Sequence, residues 1–286
     1  MTEVPMDHSL TPQGDAAGTA GPADLSRRRA VLLGGAIAAG AVLGAAGLGV
    51  SPAFAAEKPY VYSRASWNAR KPVLYAKVLD RAPTYVIVHH TATPNSTDYS
   101  REHAFALSRS IQNHHMDNNG WDDIGQQLTI SRGGYIMEGR NRSLVAIRDG
   151  NHAVGAHVES YNDVAIGIEN EGTYISASPT GALWESLVAT CAWLCSAYGR
   201  PVSAIRGHRD FNATVCPGDR LYSMLPRLRE EVGARLAAAG LQTLSTEELP
   251  ARQRPPFPEV PTSRATPEPF DHGPAVGAGD SNRHER

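Results

Sequence analysis

Apolar positions follow two rhythms along this chain. Tyr85-Val86-Ile87-Val88 and Val164-Ala165-Ile166-Gly167-Ile168 are short, continuous apolar runs rich in β-branched residues, the mark of strands buried on both faces. Ile124–Ile130 and Tyr135–Glu138 flank Arg132-Gly133-Gly134, which predicts a hairpin. Helical spacing takes over between these runs. Asp98–Met116 carries Phe105, Leu107, Ile111 and Met116 on or near one face and stops at Asn118-Asn119-Gly120, a strong C-terminal signal. Pro179–Tyr198, with Leu183, Leu187, Val188, Leu194 and Ala197, predicts a second amphipathic helix, and Leu221–Ala239 a third. Strands interleaved with long helices predict an α/β domain, its sheet mixed because the hairpin adds an antiparallel pair.

The two ends break the pattern. Ser26-Arg27-Arg28-Arg29 precedes an apolar Ala/Gly-rich run from Ala30 to Val50, followed by Ala53-Phe54-Ala55. A basic stretch, an apolar stretch and a small-x-small site predict an export signal over residues 1–55, cleaved after Ala55. The paired arginines resemble a twin-arginine signal, so the protein is expected to be secreted or held in the cell wall, with no stable membrane association after cleavage. Residues 249–286 are rich in Pro, Gly and charge; such a segment buries too little apolar surface to offset its ordering entropy and is expected to be a disordered tail. His272 and His284 within it read as bystanders. That leaves a catalytic domain over about residues 57–242.

Composition removes some function classes. The chain has 286 residues, 41% of them hydrophobic, a formal net charge of −2 and a pI near 6.6, so neither nucleic acid nor an anionic membrane surface is an expected partner. Three cysteines are too few for the disulfide framework of a small secreted domain. Cys191 and Cys195 lie one helical turn apart and read as buried thiols on an apolar face. Cys216 stands apart, in a polar loop beside a histidine.

Candidate chemistry gathers at three residues. His89 ends a predicted strand; His208 and Cys216 bracket the loop Gly207-His208-Arg209-Asp210-Phe211-Asn212-Ala213-Thr214-Val215-Cys216. Two His and one Cys form a three-ligand zinc set that leaves a fourth position open, as hydrolytic zinc sites require. A lone His at a strand end is more often structural, and spacing alone leaves both readings open.

Ordered motifs surround the triad. Tyr85-Val-Ile-Val-His89-His90-Thr91, Ile111-Gln-Asn-His-His115, Gly120-Trp121-Asp-Asp-Ile-Gly125, Gly155-Ala-His157, Ile166-Gly-Ile168 and Thr214-Val-Cys216-Pro-Gly218 follow one another. Together they resemble the zinc-dependent N-acetylmuramoyl-L-alanine amidase domain of peptidoglycan recognition proteins and phage amidases, over about residues 60–230. The resemblance implies a mixed central β-sheet flanked by helices, zinc held by His89, His208 and Cys216, and hydrolysis of the amide between N-acetylmuramic acid and L-alanine in peptidoglycan or muropeptides. A monomer is expected. The fold also occurs in members that only bind wall fragments, so a non-catalytic binding protein is the alternative; such binders typically lack the Cys.

Two departures from the pattern matter. Where the family usually reads Asp-Ile-Gly-Tyr, this chain has Asp123-Ile124-Gly125-Gln126, and a glutamine can supply neither a base nor a phenolic proton. Glu169, in Ile166-Gly-Ile-Glu169-Asn-Glu171, resembles the proposed base of a second branch, the cell-wall recycling amidases; Glu171 is its rival on the same strand face. Thr214 stands where phage amidases carry a Lys, offering a neutral hydrogen bond to an oxyanion. His157, Trp121 and Asn162 are expected to line the substrate cleft, His90 to point into the core, His114 and His115 to cap a helix end, and Asp123 to orient a loop or a ligand histidine.

Overall fold

The computed structural model describes residues 56–254, 268–278, 280 and 281. The expected export signal and His284 lie outside them. The strands are β1 (Val61–Tyr62), β2 (Val78–Leu79), β3 (Tyr85–His90), β4 (Leu128–Ile130), β5 (Ile136–Glu138), β6 (His152–Ala153), β7 (Ala165–Asn170) and β8 (Ile205–Gly207). The helices are α1 (Arg101–Asn113), α2 (Ser143–Arg148), α3 (Gly181–Tyr198), α4 (Asp219–Ser223), α5 (Leu225–Ala238) and α6 (Gln242–Thr246). Six strands form one sheet in the order β1-β5-β4-β7-β3-β8, and β2 pairs with β6 beside it. Only the β4–β5 hairpin is antiparallel within the large sheet; its other pairs are parallel. This is the expected mixed sheet with helices on both faces.

Side-chain alternation along the strands divides the sheet into two chemistries. Val86, Val88, Ile166, Ile168, Leu128, Ile130 and Ile205 share a core with Leu183, Leu187 and Leu194 of α3 and Leu228 and Val232 of α5. Full burial of each such side chain contributes about 1.5–3 kcal/mol, so this face anchors the fold. The alternate residues, His89, Glu169 and Thr129, lie in one row across β3, β7 and β4, set by the pairings His89↔Glu169 and Thr129↔Glu169. Met137, paired with Thr129, is on that second face and packs with Trp67 and Ala104 of α1. A polar row is thus held in a sheet whose other side is dry.

Local signals explain the element ends. Ser100 caps α1 by accepting from the His103 amide, and Thr180 caps α3 by accepting from the Leu183 amide, as short hydroxyl side chains do at helix starts. The helix expected over Leu221–Ala239 is two helices, α4 and α5, with Pro226 in the first turn of the second. Proline lacks the amide that would continue α4 and suits a helix start. Cys191 and Cys195 are free and buried on α3. The ordered chain runs past 242: Leu249 is buried, and its amide donates to Ser203 Oγ at 2.9 Å. Among the described residues, no helix is long and apolar enough to cross a membrane.

The expectation of a disordered tail needs correction for part of its length. Residues 268–278, 280 and 281 lie against the domain. The Phe270 amide donates to Thr91 O at 2.8 Å, and the Phe270 ring packs with Leu107, Ile111 and Ile124. Asp280 accepts from the amides of Ser160 and Asn162 and from the Asn162 side chain at 2.9–3.2 Å. Ordering entropy is offset here by specific hydrogen bonds and one aromatic anchor, which composition alone does not register.

Candidate metal centre

The site grows from the polar row. β3 delivers His89, and β8 ends at Gly207, so His208 opens the following turn directly beside it. Asp210 accepts from the Gly207 amide at 3.0 Å, while buried Arg209 donates to the carbonyls of Val215 and Cys216 and pairs with Asp219 at 2.8 Å. Those bonds fold the 208–219 loop back on itself and bring Cys216 to His89, Sγ to Nδ1 at 3.6 Å. His89, His208, Cys216 and His272 are all buried, and one ligand atom from each lies within 4.8 Å of the others.

Hydrogen bonds fix which histidine nitrogens carry lone pairs. The His157 Nε2 lies 3.2 Å from Ala165 O; a carbonyl only accepts, so that nitrogen is the donor and Nδ1 of the neutral ring is bare. His89 Nε2, 3.0 Å from His157 Nδ1, must then donate, which leaves His89 Nδ1 with the lone pair facing Cys216. His208 repeats the logic. Its Nε2 donates to Pro274 O at 2.9 Å and to Asn212 Oδ1 at 3.0 Å, and its buried Nδ1 has no hydrogen-bond partner among the described residues.

Electrostatics agree with neutral rings at His89 and His208; at His272 burial, which favours the neutral ring, is outweighed by Glu169 and Cys216, which hold it well above the usual histidine range. Burial, then the neighbouring histidines, hold His89 well below the usual histidine range; burial and His272 push His208 down to about 3. Burial raises the Cys216 thiol, opposed by His272. Two inward lone pairs and a soft sulfur suit a borderline divalent cation, whose charge would stabilise the thiolate. With Zn–N near 2.0 Å and Zn–S near 2.3 Å, tetrahedral N and S ligands stand about 3.5 Å apart, a spacing the His89–Cys216 pair already has.

The remaining expected residues fall in different places. Glu169 is buried beside the cluster, and His272 Nε2 lies 2.6 Å from its Oε1. The approach is ion-pair close yet off the hydrogen-bond direction, and neither Glu169 oxygen has an aligned donor among the described residues. Glu171 is committed elsewhere, to His103 Nε2 at 2.6 Å and the Arg132 amide at 2.7 Å. His157 is buried behind His89, its ring pressed on Gly167, where a Cβ would come within 2.7 Å. Asn162 is buried and accepts from the amides of His157 and Val158. Trp121 is half-buried with its ring 4.6 Å from that of His115. Thr214 accepts from the Cys216 amide at 3.1 Å and donates to His272 O. Gln126 is buried and donates to Thr129 Oγ1 at 2.9 Å. Asp123 organises a loop, accepting from Gln112, Asn141 and Arg64 rather than a ligand histidine. His90 lies on the apolar face, accepting from the Tyr174 amide, and His115 accepts from the Gly125 amide.

Sequence reasoning missed His272. Its only local signal is Asp271-His272-Gly273-Pro274, a histidine followed by a residue free to adopt φ +129°. A Cβ on Gly273 would meet Thr214 Oγ1 at 2.5 Å, so the close approach needs glycine there.

Comparison with known proteins places this architecture. A family model described as N-acetylmuramoyl-L-alanine amidase matches residues 79–219. Peptidoglycan-recognition protein SC1a of Drosophila melanogaster is 32% identical over 176 residues, 59% of this chain and 86% of that protein. The chain belongs to the family of peptidoglycan recognition proteins and type 2 amidases. The human N-acetylmuramoyl-L-alanine amidase is 33% identical over 204 residues, 69% of this chain. This family member spans about a third of that protein's length, 33%. A solved structure of a Drosophila PGRP-LB mutant in complex with tracheal cytotoxin superposes with a TM-score of 0.51 at 29% identity, over 58% of this chain and 92% of that one.

Proposed function

We propose that this chain is an exported zinc amidase that hydrolyses the bond between N-acetylmuramic acid and L-alanine in peptidoglycan or muropeptides. One observation carries the reading: the Nδ1 lone pairs of His89 and His208 converge with Cys216 Sγ beside the buried carboxylate of Glu169. Zinc in that cage supplies a Lewis acid for the scissile carbonyl and its attacking water.

The chain's residues do the rest. His157 and Ala165 O fix the His89 tautomer, and Asn212 helps to fix that of His208, as hydrogen bonds behind metal ligands commonly do. Glu169 takes the proton of the attacking water and passes it to the leaving amine. Gln126, spent on Thr129, takes no part in proton transfer. Thr214 lies two residues from Cys216, where its hydroxyl can donate to a developing oxyanion once freed from His272 O. Names of relatives include both amidases and recognition proteins; the complete ligand set favours the enzyme.

The test is mass spectrometry of purified muropeptides before and after incubation, with metal content measured in parallel. Release of free stem peptide that stops with chelator and returns with zinc is expected. A metal-free preparation with full activity overturns the mechanism.

A further inference from the structure

The candidate centre contains one histidine more than a hydrolytic zinc site uses. His272 comes from the C-terminal segment and brings one ring nitrogen to within 4.8 Å of the ligand atoms of His89, His208 and Cys216. Its Nε2 faces the Glu169 carboxylate at 2.6 Å, while its Nδ1 is buried with no hydrogen-bond partner among the described residues. Its ring centroid is 5.1 Å from that of His89 and 5.5 Å from that of His208. A carboxylate beside one ring nitrogen, with the other buried and unpartnered next to candidate ligands, is a setting that suits a metal-bound histidine.

We propose that His272 is a fourth protein ligand of the metal, and that its segment is a built-in plug that keeps the amidase latent. The inference rests on the metal-amidase reading given above. Four protein ligands close a zinc site, whereas catalysis needs one position open. The same residue also engages the machinery around the metal: its side chain sits on Glu169, and its carbonyl takes the Thr214 hydroxyl.

The plug is held at several points. Pro274 O accepts from His208 Nε2 and from the Glu159 amide. Ala275 O accepts from Asn162 Nδ2 at 2.7 Å. Asp280 clamps the 160–162 loop, and the Ser281 hydroxyl donates to Asp163 at 2.6 Å. Phe270 fills the apolar site under α1, 5.6 Å from the His114 ring. Displacement or proteolytic removal of this segment frees Glu169, Thr214 and the fourth metal position together.

Cobalt(II) loaded into the full chain tests this, because its visible bands report ligand number and its thiolate band reports Cys216. With His272 in place, the spectrum is expected to be that of a closed four-ligand site, unmoved by added azide. In His272→Ala, azide should shift the bands, and muropeptide cleavage by the zinc form should rise on the order of tenfold or more, as expected when a mostly closed population opens. Asp280→Ala keeps the ligand but loosens the clamp, and its azide response should fall between the two. Identical spectra and azide affinities in the unmodified chain and His272→Ala overturn the inference. If His272→Ala binds cobalt and azide but the zinc form cleaves no muropeptide, the amidase reading fails while the fourth ligand stands. If no variant takes up metal, both fail.

Discussion

A single methyl group tests the chain of hydrogen bonds behind the metal. Gly167 is the floor on which the His157 ring rests, and His157 in turn sets the tautomer of His89. Gly167→Ala should displace that ring and weaken metal affinity about 10–100-fold, the usual effect of losing a partner behind a ligand; competition with a chelator measures it, and unchanged affinity would mean that His89 needs no support. Glu169→Gln keeps the shape but not the base, so turnover should fall at least about 100-fold with metal still bound; wild-type rates would move the base elsewhere. His152 probes pH instead. Buried, with Nε2 2.7 Å from Asn162 O, it is pushed by burial from the usual 6.5 to about 4. The unfolded chain therefore binds more protons between those values, and stability falls as pH drops from 6.5 toward 4, by up to about 3 kcal/mol from this group. Denaturant midpoints at pH 7 and pH 4.5 should converge in His152→Asn relative to the parent. At this scale the sequence was legible where a residue type has few alternative uses: His89, His208 and Cys216 stood out. The place of His157 behind His89 was not, because only the packing on Gly167 selects that position over the cleft.

Secondary-structure elements divide the labour between rigidity and chemistry. The face of the sheet under α3 and α5 carries the fold's stability, so Leu187→Ala, at a fully buried position of α3, should cost about 2–5 kcal/mol in a urea or guanidinium titration. The same variant should retain its metal, since the ligands lie on the opposite face; loss of metal in the folded variant would show that the faces are coupled. Periodicity revealed these elements because their apolar positions are long and regular. It failed at Pro226, where apolar spacing runs unbroken across a helix boundary that the missing amide imposes. It also overextended the hairpin's first strand: Ile124, Gly125 and Gln126 precede β4, and the Gly125 carbonyl accepts from the Ala156 amide instead of a strand partner, at 2.8 Å.

For the whole molecule, the paired arginines make a prediction that the folded domain does not. Arg27→Lys together with Arg28→Lys should block export if the chain crosses already folded, with its cysteines and metal in place; undiminished secretion, seen by immunoblotting of the culture medium, would assign it to a route for unfolded chains. The tail was the part of the molecule least visible in sequence. Disorder is inferred from composition, whereas Phe270, His272 and Asp280 act singly, at spacings that no periodic pattern marks. Their consequence is one of dilution. A separate inhibitor leaves its enzyme once both are released into a large volume, but a plug on the same chain stays at an effective concentration on the order of millimolar however far the protein spreads. Latency then ends only by a chemical or competitive event at the site itself, such as a cut in the tail or arrival of enough polymer to displace it.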